Sequence, residues 1–306
     1  MKNDKTARVL SIGEVLWDVF DTGELLGGAP LNFCYHLHRL GEEAELLAAV
    51  GDDLRGRRVL QSMQRLGLST RFVHSTTERP TGIAEITTNQ RGEAAFSIPR
   101  PAAFDCLLVD AAQRGHLLAM EFNWIYFGTL LHTNPRVQAQ TLELLHGLPN
   151  ARRFYDMNLR TGHWSLPLVE RLCHQATVLK LNDVEAHTLW NLHLGPGKVF
   201  SMEEFCRYWT NEFALDAICV TEGERGCSVR SNGRLLRAAG HKVVVADTVG
   251  SGDAFAAAFL HGYHQGWPME RTMRMANALG ALVASRAGAT PPWTLDECEA
   301  MAQRAE

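Results

Sequence analysis

The chain has 306 residues, 46% of them hydrophobic, and a net charge of −4 at pH 7. That length and apolar fraction support a sizeable α/β core. The mildly acidic balance speaks against nucleic acid or a membrane surface as partner, and no apolar run reaches the ~18 residues of a membrane span.

The first residues, MKNDKTARVLSIGE, lack the apolar stretch of a secretory signal. The seven cysteines are scattered without a C-x-x-C pair. The expectation is a cytoplasmic protein whose thiols stay reduced and pack as small hydrophobes.

A first strand at 8–12 runs into SIGEVLWDVF, which places Asp18 just past its carboxyl end. Ligands of open parallel sheets bind there. Residues 15–27 read as a hairpin. GGAPLNFCYHLHRLG follows, with a tight turn at Gly27 and Gly28 and Pro30 at a first helical position. The helix predicted at 30–40 carries the stripe Leu31, Cys34, Leu37, Leu40. His36 and His38, two residues apart, face different ways and read as surface histidines rather than a metal pair.

A strand at 45–50 and a helix at 55–66 come next, then a second hairpin at 80–98 around Asn89-Gln90-Arg91-Gly92. Further strands are predicted at 123–127, 153–156, 177–181 and 217–220, and helices at 135–146, 167–174, 183–190 and 202–213. In FYDMNLRTGHW, Asp156, Asn158 and Arg160 alternate and would share one face of an extended chain. In LKLNDVEAHTL, Asn182 reads as a helix N-cap with Glu185 as its reciprocal partner. Thr221, Gly223 and Gly226 form T-x-G-x-x-G, which on its own reads as a turn. Val243 to Val245 reads as a buried strand at 242–246, and helices close the chain at 253–265, 269–286 and 294–304. This alternation predicts a mainly parallel central sheet with helices on both faces, as a single domain over 1–306. The two hairpins, in inserted segments of about 15–27 and 80–104, predict a small β-lid that keeps water out.

Most informative is DTVGSGDAF, residues 247–255. Gly250 and Gly252 let backbone amides approach an anion closely, and the following helix N-terminus favours negative charge. A carboxylate at such a turn repels a phosphate unless it handles a proton. Asp253 therefore reads as the acceptor of the proton of an attacking hydroxyl in phosphoryl transfer. The plain alternative is a helix N-cap aspartate.

This string closely resembles the C-terminal signature of the ribokinase-like (PfkB) carbohydrate kinases, and GGAPLNFCYHLHRLG resembles their N-terminal one. The resemblance implies a three-layer α/β/α sandwich with a β-lid that covers the sugar and forms a homodimer interface. It makes Asp253 the catalytic base and Gly250, Ser251 and Gly252 the anion hole. Asp18, Gly27, Gly28 and Asn32 would bind the sugar. Asn158 and Arg160 would approach it or the phosphate, in a string similar to the D-P-N-x-R of fructokinases and 2-keto-3-deoxygluconate kinases, with Met157 in place of proline. Thr221, Gly223, Gly226 and Asn277 would hold ATP. Asn182 and Glu185 would tune Mg2+ and phosphate, Glu185 through water. Asp247, Val249 and Gly288 would frame a monovalent cation such as K+. Alanine at position 29, where ribokinases carry lysine, disfavours ribose. The reading is an ATP-dependent sugar kinase most similar to fructokinases. Its rivals are a kinase for 2-keto-3-deoxygluconate, a ribose-type sugar or a nucleoside (with Trp17, Phe20 and Phe96 as an apolar slot), a sugar-binding regulator without activity, and an oxidoreductase. G-x-G-x-x-G is missing after the first strand, which argues against the last, and G-x-x-x-x-G-K-[ST] is missing throughout, which excludes a P-loop.

Overall fold

The computed structural model describes residues 6–304 apart from 22, 89–93 and 196. In chain order the first half comprises β1 (Arg8–Ile12), β2 (Leu16–Phe20), β3 (Gly23–Gly27), α1 (Ala29–Arg39), β4 (Glu43–Gly51), α2 (Leu54–Arg65), β5 (Val73–Thr76), β6 (Gly82–Thr88), β7 (Ala94–Ser97), α3 (Ala111–Ala119), β8 (Trp124–Gly128) and α4 (Pro135–Gly147). The second half comprises β9 (Arg152–Asp156), α5 (Leu166–Cys173), β10 (Val178–Asn182), α6 (Asp183–Leu194), α7 (Met202–Glu212), β11 (Ala217–Thr221), β12 (Cys227–Ser231), β13 (Arg234–Ala238), α8 (Ser251–His264), α9 (Met269–Ala284) and α10 (Leu295–Ala302).

Nine strands form the main sheet in the order β13-β12-β11-β10-β9-β8-β1-β4-β5. Pairing is parallel from β11 to β5 and antiparallel for β11-β12-β13. Successive side chains of a strand point to opposite faces, and both faces here are covered. Ile125, Phe127, Leu179 and Leu181 pack towards Val137, Val169 and Leu189 of α4, α5 and α6. Trp124, Tyr126, Phe154 and Val178 pack towards Phe33, Phe259 and Leu279 of α1, α8 and α9. This is the mainly parallel sheet with helices on both faces that the alternation of elements predicted, in the three layers that the resemblance implied. Of the seven cysteines, all unpaired, only Cys106 is not fully buried.

The two hairpins build a second sheet of order β3-β2-β6-β7. The turn expected at 89–92 lies outside the described residues, as does any account of the Phe96 side chain. Sequence and structure part at the strand expected at 242–246. Those residues form no strand, and Val244 and Val245 are 90% and 59% exposed. The main sheet ends instead in the β12–β13 hairpin, whose Asn232-Gly233 turn has φ of 49° and 76°, as a two-residue hairpin loop requires. The segment after it crosses the mouth of a cavity, and its apolar side chains line that cavity rather than the core.

Candidate active site

A cavity of about 460 Å³ opens at the carboxyl ends of the parallel strands. Glu14 follows β1, Asn158 and Arg160 follow β9, Asn182 ends β10 and Thr221 ends β11, and all line it. Leu16 and Asp18 of β2, Ala84 of β6 and nearby Ile98 wall it from the second sheet, and Gly250 to Asp253 close its floor. A second cavity of about 220 Å³, lined by Gly226, His241, Val243, Val245, Phe255 and Asn277, shares Thr221, Gly223, Thr248, Ser251 and Gly252 with the first. The two form one cleft with the start of α8 at its waist.

Gly250 caps α8 in the left-handed region, at φ 78°. An added Cβ there would meet Ala289 at 2.6 Å, so glycine is required for both conformation and space. Asp253 sits in the first turn of α8 and is not its N-cap. In that turn the amides of Gly252 and Asp253 have no partner within the helix, while the Ser251 amide is weakly engaged by the Thr248 carbonyl at 3.3 Å. Asn32, on α1, donates from Nδ2 to Asp253 Oδ2 at 2.8 Å, and its own Oδ1 is buried without a partner. Burial and neighbouring Asp156 push Asp253 up to about 6, against the pull of Lys180, the Asn32 hydrogen bond and Arg160. Burial likewise raises Asp18 to about 6 and Glu14 to about 7.

Asp18 lies within β2, in the first of the two expected hairpins, and lines the cavity. Several expected residues stand where the sequence did not put them. Gly27 does not line the cavity; its role is room, since a Cβ there would fall 2.3 Å from Asp18 Oδ2. Gly28, at φ 109°, leaves the Glu14 carbonyl clear in the same way. Asn158 has φ 44°, so Asp156, Asn158 and Arg160 do not share one extended face. Asp156 turns into the sheet and is 1% exposed, whereas Asn158 and Arg160 reach the cavity.

Asn182 and Glu185 do form the reciprocal cap of α6. Glu185 accepts from the Asn182 and Leu159 amides at 2.8 and 2.6 Å and does not line the cavity, whereas Asn182 and Asp183 do. Asn277 lines the second cavity and donates to the Ala238 and Ala239 carbonyls. Asp247 accepts from the Val249 and Gly288 amides at 3.0 and 3.1 Å, so the three residues expected around a cation are joined. His36 is buried, contrary to the surface expectation. Trp293 Nε1 donates to its Nδ1 at 3.1 Å, and its Nε2 then donates to the Ala289 carbonyl at 3.0 Å. Trp17 is buried in the cluster between α1 and α2 and donates to the Arg55 carbonyl, so it offers no slot in the cavity.

Glu14 and Lys180 also line the cavity and were not singled out from the sequence. The available signal was a lysine inside the apolar run Val178-Leu179-Lys180-Leu181. A charge in a strand buried on both faces needs a partner.

A family model described as pfkB family carbohydrate kinase matches residues 3–295. The chain belongs to this family. It is a sugar-phosphorylating transferase with the ribokinase-like fold. Among relatives of this pfkB kinase, fructokinase-1 of Oryza sativa subsp. japonica is 28% identical, over 92% of this chain and 93% of that one. Fructokinase of Escherichia coli is 26% identical, over 93% and 95%. Among solved structures, a fructokinase from Xylella fastidiosa with bound ATP superposes with a TM-score of 0.84 at 22% identity, over 97% of this chain and 98% of the other. A Vibrio cholerae fructokinase double mutant with fructose, ADP and potassium ion bound does so with 0.81 at 22%, over 98% and 99%.

Proposed function

We propose that this sugar kinase transfers the γ-phosphate of ATP to a primary hydroxyl of a monosaccharide, fructose in the first place. The observation that carries the reading is the waist of the cleft. There a buried carboxyl, Asp253, faces the larger cavity from the first turn of a helix with unpaired amides, whose Ser251 and Gly252 are shared by both cavities. The larger cavity suits a sugar. Asp18 and the free Oδ1 of Asn32 offer acceptors for hydroxyls, and Asn158 and Arg160 offer donors. The smaller one, apolar around Val243, Val245 and Phe255, suits a nucleobase, with Thr221, Gly223, Gly226 and Asn277 along it. The relatives named fructokinase support fructose as acceptor.

Asp253 takes the proton of the sugar hydroxyl as its oxygen attacks in line. Raised to about 6, it is ionised at neutral pH yet more basic than an ordinary aspartate, as a general base should be. The amides of Gly252 and Asp253 meet the charge that spreads over the transferring phosphoryl oxygens. Asn182 and Asp183, which line the cavity, would hold Mg2+ carried with ATP, and the ion would supply positive charge to the phosphates. The loops joined by Asp247 would take K+ on backbone carbonyls. The second sheet closes as a lid over the sugar and excludes water, and two chains pair through it.

The test is ADP release with ATP and Mg2+ against fructose, tagatose, ribose, 2-keto-3-deoxygluconate, adenosine and inosine, with and without K+. Turnover on fructose well above the others is the expected result. Preference for another acceptor would replace fructose and keep the kinase. No turnover on any of them would sink the mechanism.

A further inference from the structure

Lys180 stands in β10 with its side chain on the same face as Val178, towards α8, while Leu179 and Leu181 face the other way. It is only 7% exposed. Its ammonium donates to both oxygens of Asp156, at 3.0 Å each, and Tyr126 donates its hydroxyl to Asp156 Oδ2 at 3.1 Å. Burial opposes the charge, but Asp156 and Asp253 hold the lysine above its ordinary value, so it stays charged.

A buried ion pair of this kind is a poor stabilising device. Two charges lose their hydration, and an apolar pair of equal volume often does as well or better. The placement gives it another use. A Cβ added to Gly252 would lie 3.2 Å from Lys180 Nζ, so the ammonium sits directly against the glycine at the start of α8. Lys180 also lines the cavity. An ammonium has three N–H groups, and Asp156 accounts for two of them.

We propose that Lys180 is a fixed cation built into the anion hole: pinned by Asp156 and Tyr126 beneath Gly252, it adds a buried positive charge to the amides of the first turn of α8. Asp156 is the positioning residue. By holding the ammonium it keeps Lys180 from pairing with Asp253 and leaves the base free for its proton. Glycine at 252 then serves two ends, close approach of the phosphate from above and of the ammonium from below. The inference rests on the kinase reading of the cleft.

Its test compares wild type with Lys180→Met, Asp156→Asn and the double variant, on whichever sugar the wild type phosphorylates. The single variants each leave a buried charge alone and should lose stability, so the double variant, which removes both charges, is the decisive one. Expected for the double variant are a cooperative melt, sugar and ADP dissociation constants close to wild type, and a kcat lower by about a hundredfold or more, the typical cost of losing one anion-hole element. A folded double variant with kcat within about threefold of wild type, on that same scale, would overturn the proposal. So would a loss of sugar and ADP binding in step with kcat, because the pair would then only hold the fold. An inactive wild type would sink the kinase reading itself, and this inference with it, and is recognised before any variant is made.

Discussion

At the residue scale the site is a set of carboxyls kept in tension by burial. Asp253, Asp18 and Glu14 all face one cavity and all stand above their ordinary values. Asp253→Asn keeps the shape and the Asn32 contact but removes the base. The expected result is a loss of kcat by about 10²- to 10⁴-fold, the range for general base catalysis, with sugar affinity kept. Near-normal turnover would remove Asp253 from its role. The same change has a sign on stability. A carboxyl raised to about 6 on folding favours the fold below the unfolded value near 3.8 and loses that contribution as pH rises through about 6. Asp253→Asn should therefore raise Tm at pH 8 and much less at pH 4, and an equal gain at both would contradict the burial cause. For the wild type, kcat/KM should fall as pH drops through about 6, because the protonated Asp253 accepts nothing. A profile flat down to pH 4.5 would point to another base.

At the element scale, the segment after β13 separates propensity from position. Val243 to Val245 have the composition of a buried strand, yet Val244 is 90% exposed. Val244→Lys should change stability by no more than about 0.5 kcal/mol, as for surface sites. A loss of several kcal/mol in a thermal melt would mean that the segment packs as a strand after all. The second sheet carries the other element-scale expectation. If β2, β3 and β6 close over sugar, hydrogen exchange in Leu16–Phe20, Gly23–Gly27 and Gly82–Thr88 should slow when sugar and an ATP analogue are both present. Exchange that changes only around α8 would leave the second sheet as a static wall.

At the scale of the whole molecule, the proposed dimer would form through the second sheet. Light scattering should give about twice the 34.0 kDa of one chain. A monomer at all concentrations for the wild type would end that proposal. Among the described residues no helix is long and apolar enough to cross a membrane.

The sequence by itself determined the layered α/β plan, because strand and helix periodicities are local and apolar runs such as Val9–Ile12 and Ile125–Phe127 leave little choice of partner face. It also determined the glycine turn and Asp253, since a left-handed φ at Gly250 and an N-terminal helical turn are properties of a few neighbouring residues. The cap of α6 by Asn182 and Glu185 was legible for the same reason. The Asn232-Gly233 turn was equally local and marked the β12–β13 hairpin, which the apolar appeal of 242–246 obscured. Only the tertiary structure decided what depends on contacts far apart in the chain. Asn32 meets Asp253 across 221 positions. His36 is buried because Trp293 and Ala289 close over it. Lys180 reaches the underside of Gly252 because β9 supplies Asp156 beside it. A lysine in an apolar strand shows that some partner must exist. Which partner, and that the pair lies under the anion hole, follow only when parallel strands come into register and α8 docks on their face.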